Sequence, residues 1–521
     1  MRPTPALGAL VSLLALVARA SAQPEPPAEP VSPSPPAPPA PPPPPAPPPP
    51  AADDAEPIVR FSNLRLLRDK GLITQAEYEA AVRDTRDTVG ARAGEQPTLV
   101  VAKWSTSLYG FVRADAMVDS TQSFDEVLGN RAVEHPLRYT SNHARFNFSA
   151  RASRFGFRVR APEWHGIRAS AQLEMDFFGT QLPIGPTNSA QPFYQNESTT
   201  LSAATPRLRH AFFRVETPIV DVVFGQYWAV LGMQPNYQPG SVQILGFPAL
   251  LYQRTPQLRL SKTFKTDDVS LEIAAAAVRP AQRDSGVPGG QAGIRFAVEK
   301  WRAAQTQAAA STSLAPLSLS VSGDLRRLAL TELAANPTKS LDLLGGGIAV
   351  DAWIPIVPAK DEKRRANSLA VQGEFVYGSG LADQYTQLTG GLQLPENYPA
   401  NIDPGIASYD GRGGAHPVQW TSVVAGGQYY LPFFDGRFFV TGHYARIWSP
   451  NIERTGFVNA LSTNTIDQKQ FVDWNLFADV TPQVRFGVGG AWVEDRFLAD
   501  SNGLRLRAES WRGQLTGLFV F

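Results

Sequence analysis

The sequence has no cysteine. That excludes disulfide staples and thiolate metal sites, and it suits a chain that crosses an oxidising compartment. A surplus of one charge is also missing: 48 Lys and Arg against 47 Asp and Glu leave a net charge of +1. No strong overall field recruits nucleic acid. The six histidines are scattered without metal-ligand spacing. Beyond the first residues, every apolar run is broken by charged or strongly polar side chains well short of the ~20 residues a spanning helix needs. Signs of catalysis are lacking too. His210 and His443 have no convincing Ser/Asp companions, and there is no G-x-S-x-G element. Gly289-Gly290 and Gly345-Gly346-Gly347 lack the strand–loop–helix context of a phosphate loop, and fit close strand packing or bends instead. No enzyme, cofactor or metal site is expected.

What is present begins with an export signal. Arg2 supplies a positive n-region, Ala6 to Ala18 an apolar h-region, and Ala20-Ser21-Ala22 an A-x-A cleavage site, so 1–22 reads as a signal peptide. Residues 23–57 form a proline-rich linker. Proline has a fixed φ and no amide donor, which favours an extended polyproline II spacer. Residues 58–90 read as a helical, possibly coiled-coil segment. Phe61, Leu64, Leu66 and Leu67 give an apolar stripe, Gly71 suits a helix end, and Thr74-Gln75-Ala76-Glu77 is a capping box. Two such short helices cannot bury their faces alone and need a partner, most simply the same segment of neighbouring subunits. Residues 91–103 are a loose connector.

From Trp104 to Phe521 the texture changes to segments of about ten residues that alternate apolar and polar, the signature of transmembrane strands. Ile167, Ala169, Ala171, Leu173, Met175 and Phe177 oppose Arg168, Ser170, Gln172, Glu174 and Asp176. In the last segment, Trp511, Gly513, Leu515, Gly517, Phe519 and Phe521 oppose Ser510, Arg512, Gln514 and Thr516. Trp104, Phe177-Phe178, Phe433-Phe434, Trp448, Trp492 and Trp511 cluster at segment ends, as interfacial girdles do. The expectation is an all-β transmembrane barrel over 104–521 of about 16 antiparallel strands, with lipid outside and water inside. The spans are 106–118, 143–160, 166–177, 207–216, 220–228, 253–265, 269–278, 291–300, 314–327, 343–355, 368–378, 418–430, 437–447, 470–480, 484–494 and 506–521. Short turns alternate with long loops, although 301–313 and 356–367 are long for turns.

Several stretches resemble trimeric Gram-negative outer-membrane porins. Ser153-Arg154-Phe155-Gly156-Phe157-Arg158, a Pro162/Gly166 turn and Ala171-Gln172-Leu173-Glu174-Met175-Asp176-Phe177-Phe178-Gly179 look like their second hairpin. Tyr109-Gly110-Phe111-Val112-Arg113-Ala114-Asp115 is similar to their first strand, Arg207-Leu208-Arg209-His210-Ala211-Phe212 and Phe224-Gly225-Gln226-Tyr227-Trp228 to the next hairpin, and Gln257-Leu258-Arg259-Leu260 to the strand after it. The resemblance is closest to the dicarboxylate-channel (DcaP-like) porins, which also carry a periplasmic helical extension. The proline tract departs from that pattern, and 280–470 match in texture alone. The resemblance implies a homotrimer in outer-membrane lipid, the extension in the periplasm, and recognition of the C-terminal Phe521 by the barrel-assembly machinery. It also implies that the loop after the fifth strand, Ala229 to Tyr252, folds inward and narrows the pore at Pro235, Asn236, Tyr237 and Gln238. Pro239, Gly240, Gly246 and Pro248 suit irregular backbone there, and Ile244, Leu245, Phe247 and Leu250 could pack on a wall.

A channel selects by lumen charge and width. Alternation turns Arg113, Asp115, Arg154, Arg158, Arg160, Arg168, Glu174, Asp176, Arg214 and Arg259 inward, joined by Arg145, Arg151, Gln172, His210, Glu272, Arg326, Asp473, Arg485 and Arg512. Arginine outnumbers acid, and guanidinium rows suit carboxylates. The expected function is passive diffusion of small hydrophilic solutes, favouring anions such as dicarboxylates. The competing reading of the arginines is that each pairs with a nearby acid and stiffens the wall. Two other functions compete: a carbohydrate-selective porin, and a barrel that anchors a cell-wall tether formed by the N-terminal extension.

Overall fold

The structure is a computed structural model that describes residues 98–521, apart from 102–103, 129–131, 180–203, 245, 282–284, 308–311, 335, 386–387, 389–404, 411, 455–464 and 500–502. The expected signal peptide, proline-rich linker, helical segment and start of the connector lie outside the described residues. So does Leu245.

Sixteen strands make one closed sheet: β1 Trp104–Asp119; β2, in two pieces, Arg145–Ser149 and Arg154–Arg160; β3 Arg168–Gly179; β4 Thr205–Glu216; β5 Asp221–Trp228; β6 Arg254–Lys265; β7 Val269–Val278; β8 Gly289–Thr306; β9 Thr312–Thr331; β10 Ser340–Val357; β11 Leu369–Ser379; β12 Gln419–Tyr430; β13 Phe438–Trp448; β14 Ile466–Asp479; β15 Val484–Phe497; β16 Arg507–Val520. Each pairs antiparallel with the next. β16 returns to β1 with Val112 opposite Phe519, and Gly110 and Phe521 exchange both backbone hydrogen bonds, at 2.9 and 3.0 Å. No edge is left, so the ladder satisfies its own amides without water. Part of the segment read as a connector, Thr98–Val101, is itself a strand on the start of β1.

Alternation sorts the two faces. Val112, Phe148, Phe157, Leu173, Phe296, Leu319, Val321, Phe375, Leu515 and Phe519 are roughly half exposed on the outside, while Arg113, Asp115, Glu174, Ser320, Glu374, Gln514 and Thr516 are buried on the inside. An apolar skin around a polar interior is what a barrel in hydrocarbon requires. Trp104, Phe433, Phe434 and Trp511 are exposed near strand ends. Phe178 departs from the expected girdle. It shares the inward side with Asp176 and packs beside the cluster of Met117, Val127, Ala152 and Ile244, with Arg151 over its ring at 4.8 Å.

The long turns shorten because β8 runs on to Thr306, β9 starts at Thr312 and β10 reaches Val357. Two breaks in alternation shape the first third of the wall. In β2, Ser149 pairs with Asp115 and Arg154 with Phe111, so β2 carries one residue more than β1 between those points. In β4, His210 faces Glu174 but Leu208 faces Met175, which leaves Arg209 as a bulge. Gly225 lies across from Phe212 just past that bulge; its φ is +124°, and a Cβ there would meet Ala211 O at 2.3 Å.

If β9 faces lipid through Leu319 and Val321, Val321→Arg should weaken folding into phospholipid vesicles by about 2–4 kcal/mol, whereas Val321→Leu should be near neutral. Urea titration of the tryptophan fluorescence measures this. Equal stability of the two variants would contradict the assigned outer face.

Candidate functional site: the lumen and its inner loop

The loop between β5 and β6, 229–252, is buried along most of its length although it belongs to no strand. A loop can lie inside only if its backbone finds partners there, and the wall supplies them. Val230 N–H donates to Gln291 Oε1 on β8 at 2.9 Å, and Gly232 N–H to Ser322 Oγ on β9 at 2.8 Å. At the far side, Thr441 Oγ1 on β13 donates to Gly240 O at 2.7 Å, and Val242 N–H donates to Asn475 Oδ1 on β14 at 3.0 Å. Val242 O accepts from Gln514 Nε2 on β16 at 2.7 Å and from Arg113 on β1. Asp473 on β14 holds the tip through Ser241 Oγ at 2.5 Å, and its other carboxylate oxygen is bound by His443 Nδ1 on β13 at 2.7 Å. The loop therefore crosses the lumen from one wall to the other.

It divides the interior into unlike halves. Phe247, Leu250 and Leu251 join Leu328, Leu330, Val376, Trp420, Val424, Phe471, Val493 and Phe497 from the inner faces of β9 to β15, along with Phe124 and Leu381 from other loops. Phe247 stacks on Phe471 with centroids 4.7 Å apart. The expectation of water against every inward face is corrected here: on that side the interior is a dry apolar pack, held by the same burial that stabilises a soluble core. Of the four residues expected to narrow the pore, Pro235 and Asn236 are half-buried, while Tyr237 and Gln238 are buried. Tyr237 packs with Val230, Met233, Ala303 and Trp353.

The other half is charged. Arg158, Arg160, Arg168 and Arg214, with Gln172, Phe212, Tyr227, Glu163 and Glu216, line a cavity of about 570 Å³ near the short 161–167 turn. Its acids are outnumbered. Arg168 is 3.1 Å from Glu216 and Arg214 is 3.9 Å from the same carboxylate. Arg158 donates to the neutral Gln172 Oε1, at 3.3 Å, and lies over the Tyr109 ring at 5.2 Å. Arg160 is exposed.

Deeper in, the arginines are paired. Arg113 and Asp115 are buried 2.8 Å apart under the loop, so they clamp its backbone rather than face open lumen. Arg259 holds Glu272 at 2.9 Å. Glu174 and Asp176 are buried among cations of which parity reasoning found Arg154 and missed Arg207, Arg209 and Arg254. Arg209 is fully buried, with Nε 2.7 Å from Glu174 and Nη1 2.8 Å from Asp176, and its Nη2 donates to Tyr252 OH at 3.2 Å. Arg207 binds Asp176 at 2.6 Å, and Arg154 lies 3.5 Å from Glu174. Arg254 stacks on Trp228 and Tyr252 at 5.1 and 5.2 Å. Three guanidiniums thus hold two carboxylates, and Arg254 stacks on the aromatic rings beside them. Removing Arg209 would take one guanidinium from each acid and leave Asp176 to Arg207 and Glu174 to Arg154. The bulge explains the omission: it turns Arg207 and Arg209 inward with His210 and Arg214, although their numbers differ in parity. A signal was present, because Leu208 and Phe213 are both exposed apolar residues at an odd spacing that a regular strand cannot place on one face.

No protein-family model matches the chain, and no curated protein matches it. Solved structures do. The outer membrane channel DcaP of Acinetobacter baumannii aligns over 82% of this chain and 100% of its own, with TM-score 0.57 at 16% identity. The anion-selective porin from Comamonas acidovorans aligns over 80% and 100%, with TM-score 0.46 at 12% identity. OprB of Pseudomonas putida aligns over 79% and 94%, with TM-score 0.42 at 11% identity. At these identities the likeness concerns the fold. Sixteen strands closed on themselves, apolar outside, with a loop laid across the lumen, have the architecture of an outer-membrane porin, and this chain has that porin fold.

Proposed function

We propose that the chain is an outer-membrane channel for passive diffusion of small hydrophilic solutes, that it favours anions such as dicarboxylates, and that it works as a homotrimer. The observation that carries the anion preference is the cavity where Arg158, Arg160, Arg168 and Arg214 face only Glu163 and Glu216. An unbalanced guanidinium row raises the local anion concentration and offers planar donors that fit carboxylates. The inner loop supplies the narrowing, with Pro235 and Asn236 as its half-buried residues. The solute moves down its own gradient past these groups, and no covalent step is involved.

The trimer rests on the resemblance of the first hairpins to trimeric porins. The placement of Phe521 at the barrel seam is compatible with its reading as the signal for the assembly machinery. In this reading the N-terminal extension lies in the periplasm and contacts the cell wall.

Reversal potentials in planar bilayers under a salt gradient should show anion selectivity. The double variant Arg158→Glu, Arg160→Glu should lower the anion-to-cation permeability ratio by about tenfold or invert it, because the cavity then carries more acid than base. A cation-selective wild type ends the anion reading. Liposome swelling that is faster with neutral oligosaccharides than with dicarboxylates would favour the carbohydrate alternative.

The loop makes a separate prediction. Deleting Asn236 to Gln238 should raise single-channel conductance by about twofold or more, with folding checked by heat-modifiable gel mobility. Unchanged conductance in a folded variant would place the narrowing elsewhere.

A further inference from the structure

The outer face of β13 to β16 carries a polar belt for which passage through the lumen has no use. Cross-strand register arranges the outward residues of these strands in rows. Tyr444, Val472, Trp492 and Trp511 form one row, with the two indole rings 6.2 Å apart. Val440, Leu476, Val488 and Leu515 stand two rows nearer the short turns. On the other side of the aromatic row come Arg446, Gln470, Glu494 and Glu509, and then Trp448, Gln468, Arg496 and Arg507. An aromatic row marks the edge of the hydrocarbon, so the two polar rows stand among headgroups. Barrels of this kind keep their long loops outside and their short turns in the periplasm. The belt adjoins the connections 449–465 and 498–506, at the long-loop end. The headgroups it meets are those of the outer leaflet.

Bonds within the belt leave its guanidinium groups open to an anion. Arg507 donates to Glu494 Oε1 at 3.1 Å, yet its side chain is 58% exposed. Arg496, its direct cross-strand partner, donates to both oxygens of Asp467 at 2.7 and 3.0 Å. Like charges directly opposite each other repel, and an anion between them relieves that. Arg446 donates to the neutral Gln468 Oε1 at 2.7 Å and lies over the Trp448 ring at 5.1 Å. Its buried Nε has no acceptor among the described residues. Arg446 and Arg507 are three strand spacings apart, about 14 Å across the sheet. That separation suits a disaccharide with a phosphate at each end. Between them, Glu509 accepts from Trp492 Nε1 at 3.0 Å and Glu494 from Gln470 Nε2 at 3.1 Å. Carboxylates beside indole rings suit sugar hydroxyls and the faces of sugar rings. Elsewhere at this end, the outward charges described within β7 to β12 are Arg327 and Asp342, which neutralise each other at 2.8 Å.

We propose that the belt binds a phosphorylated disaccharide lipid of the outer leaflet. Arg496 and Arg507 take one phosphate and Arg446 the other. Glu494 and Glu509 accept sugar hydroxyls, and Trp492 and Trp511 pack where sugar gives way to acyl chain. The inference rests on the outer-membrane placement and is independent of what the lumen conducts.

The test is native mass spectrometry of the purified full chain in detergent, with lipid A, a glucosamine disaccharide lipid bearing two phosphates, as the probe. The wild type should retain lipid A and bind its phosphate-free counterpart at least tenfold more weakly. Arg507→Gln and Arg446→Gln, each with heat-modifiable mobility unchanged, should each weaken lipid A binding by about tenfold. Arg327→Gln should leave it intact. Single-channel conductance should match the wild type in all three variants, and a chain that retains lipid A but forms no pores would lose the channel reading and keep this one. Equal binding of the two lipids overturns the proposal. So does wild-type affinity in the Arg507 and Arg446 variants, including affinity that a chelator abolishes, which would put a divalent cation on Glu494 and Glu509 in place of the guanidinium contacts. Displacement by inorganic phosphate at equal concentration overturns the lipid as occupant.

Discussion

Closure governs the rest of the molecule. A sheet in hydrocarbon has no water to satisfy an open edge, so β16 must meet β1, and the terminal Phe521 completes the seam with Gly110. Closure in turn fixes an inside and an outside for each strand. Side chains that a soluble sheet could turn either way are thereby committed, apolar to lipid and polar to the lumen. The alternation in the sequence is the imprint of that commitment.

The interior is less uniform than closure alone requires. The loop 229–252 uses hydrogen bonds from β1, β8, β9, β11, β13, β14 and β16 to lie across the lumen. Apolar residues fill one side of it, and arginines are left open on the other. Packing on the first side narrows the route and, by anchoring the loop, sets where the charged side begins. The deeper arginines are spent on Glu174, Asp176 and Asp115, so the wall-stiffening reading holds for them. Near the turn, Arg158 meets the neutral Gln172 and Arg160 is exposed.

Much of this was legible in the sequence. A period of two over ten residues is a strong signal, and all sixteen spans fall on observed strands. Inward placement of Arg113, Asp115, Glu174 and Asp176 followed from the same parity. What escaped notice depends on single-residue departures from that period. Arg207 and Arg209 are on the lumen side only because of the bulge. Tyr252 and Arg254 come to the cluster from the far end of a loop whose path no local pattern dictates. The dry half escaped for another reason. Val376, Val424 and Phe471 face inward among apolar neighbours, and alternation cannot tell an apolar side chain against lipid from one against a buried loop.

The extra residue at Arg209 also acts as a reading-frame shift in space. Upstream of it on β4 the water-facing residues carry odd numbers, and downstream they carry even ones. Excising that one position would leave the strand able to span the membrane, yet it would turn either Arg207 or Arg214 toward the acyl chains. The arginine cluster thus depends on an irregularity that contributes no rung to the ladder, and the strand is tuned by its count of residues as much as by their kinds.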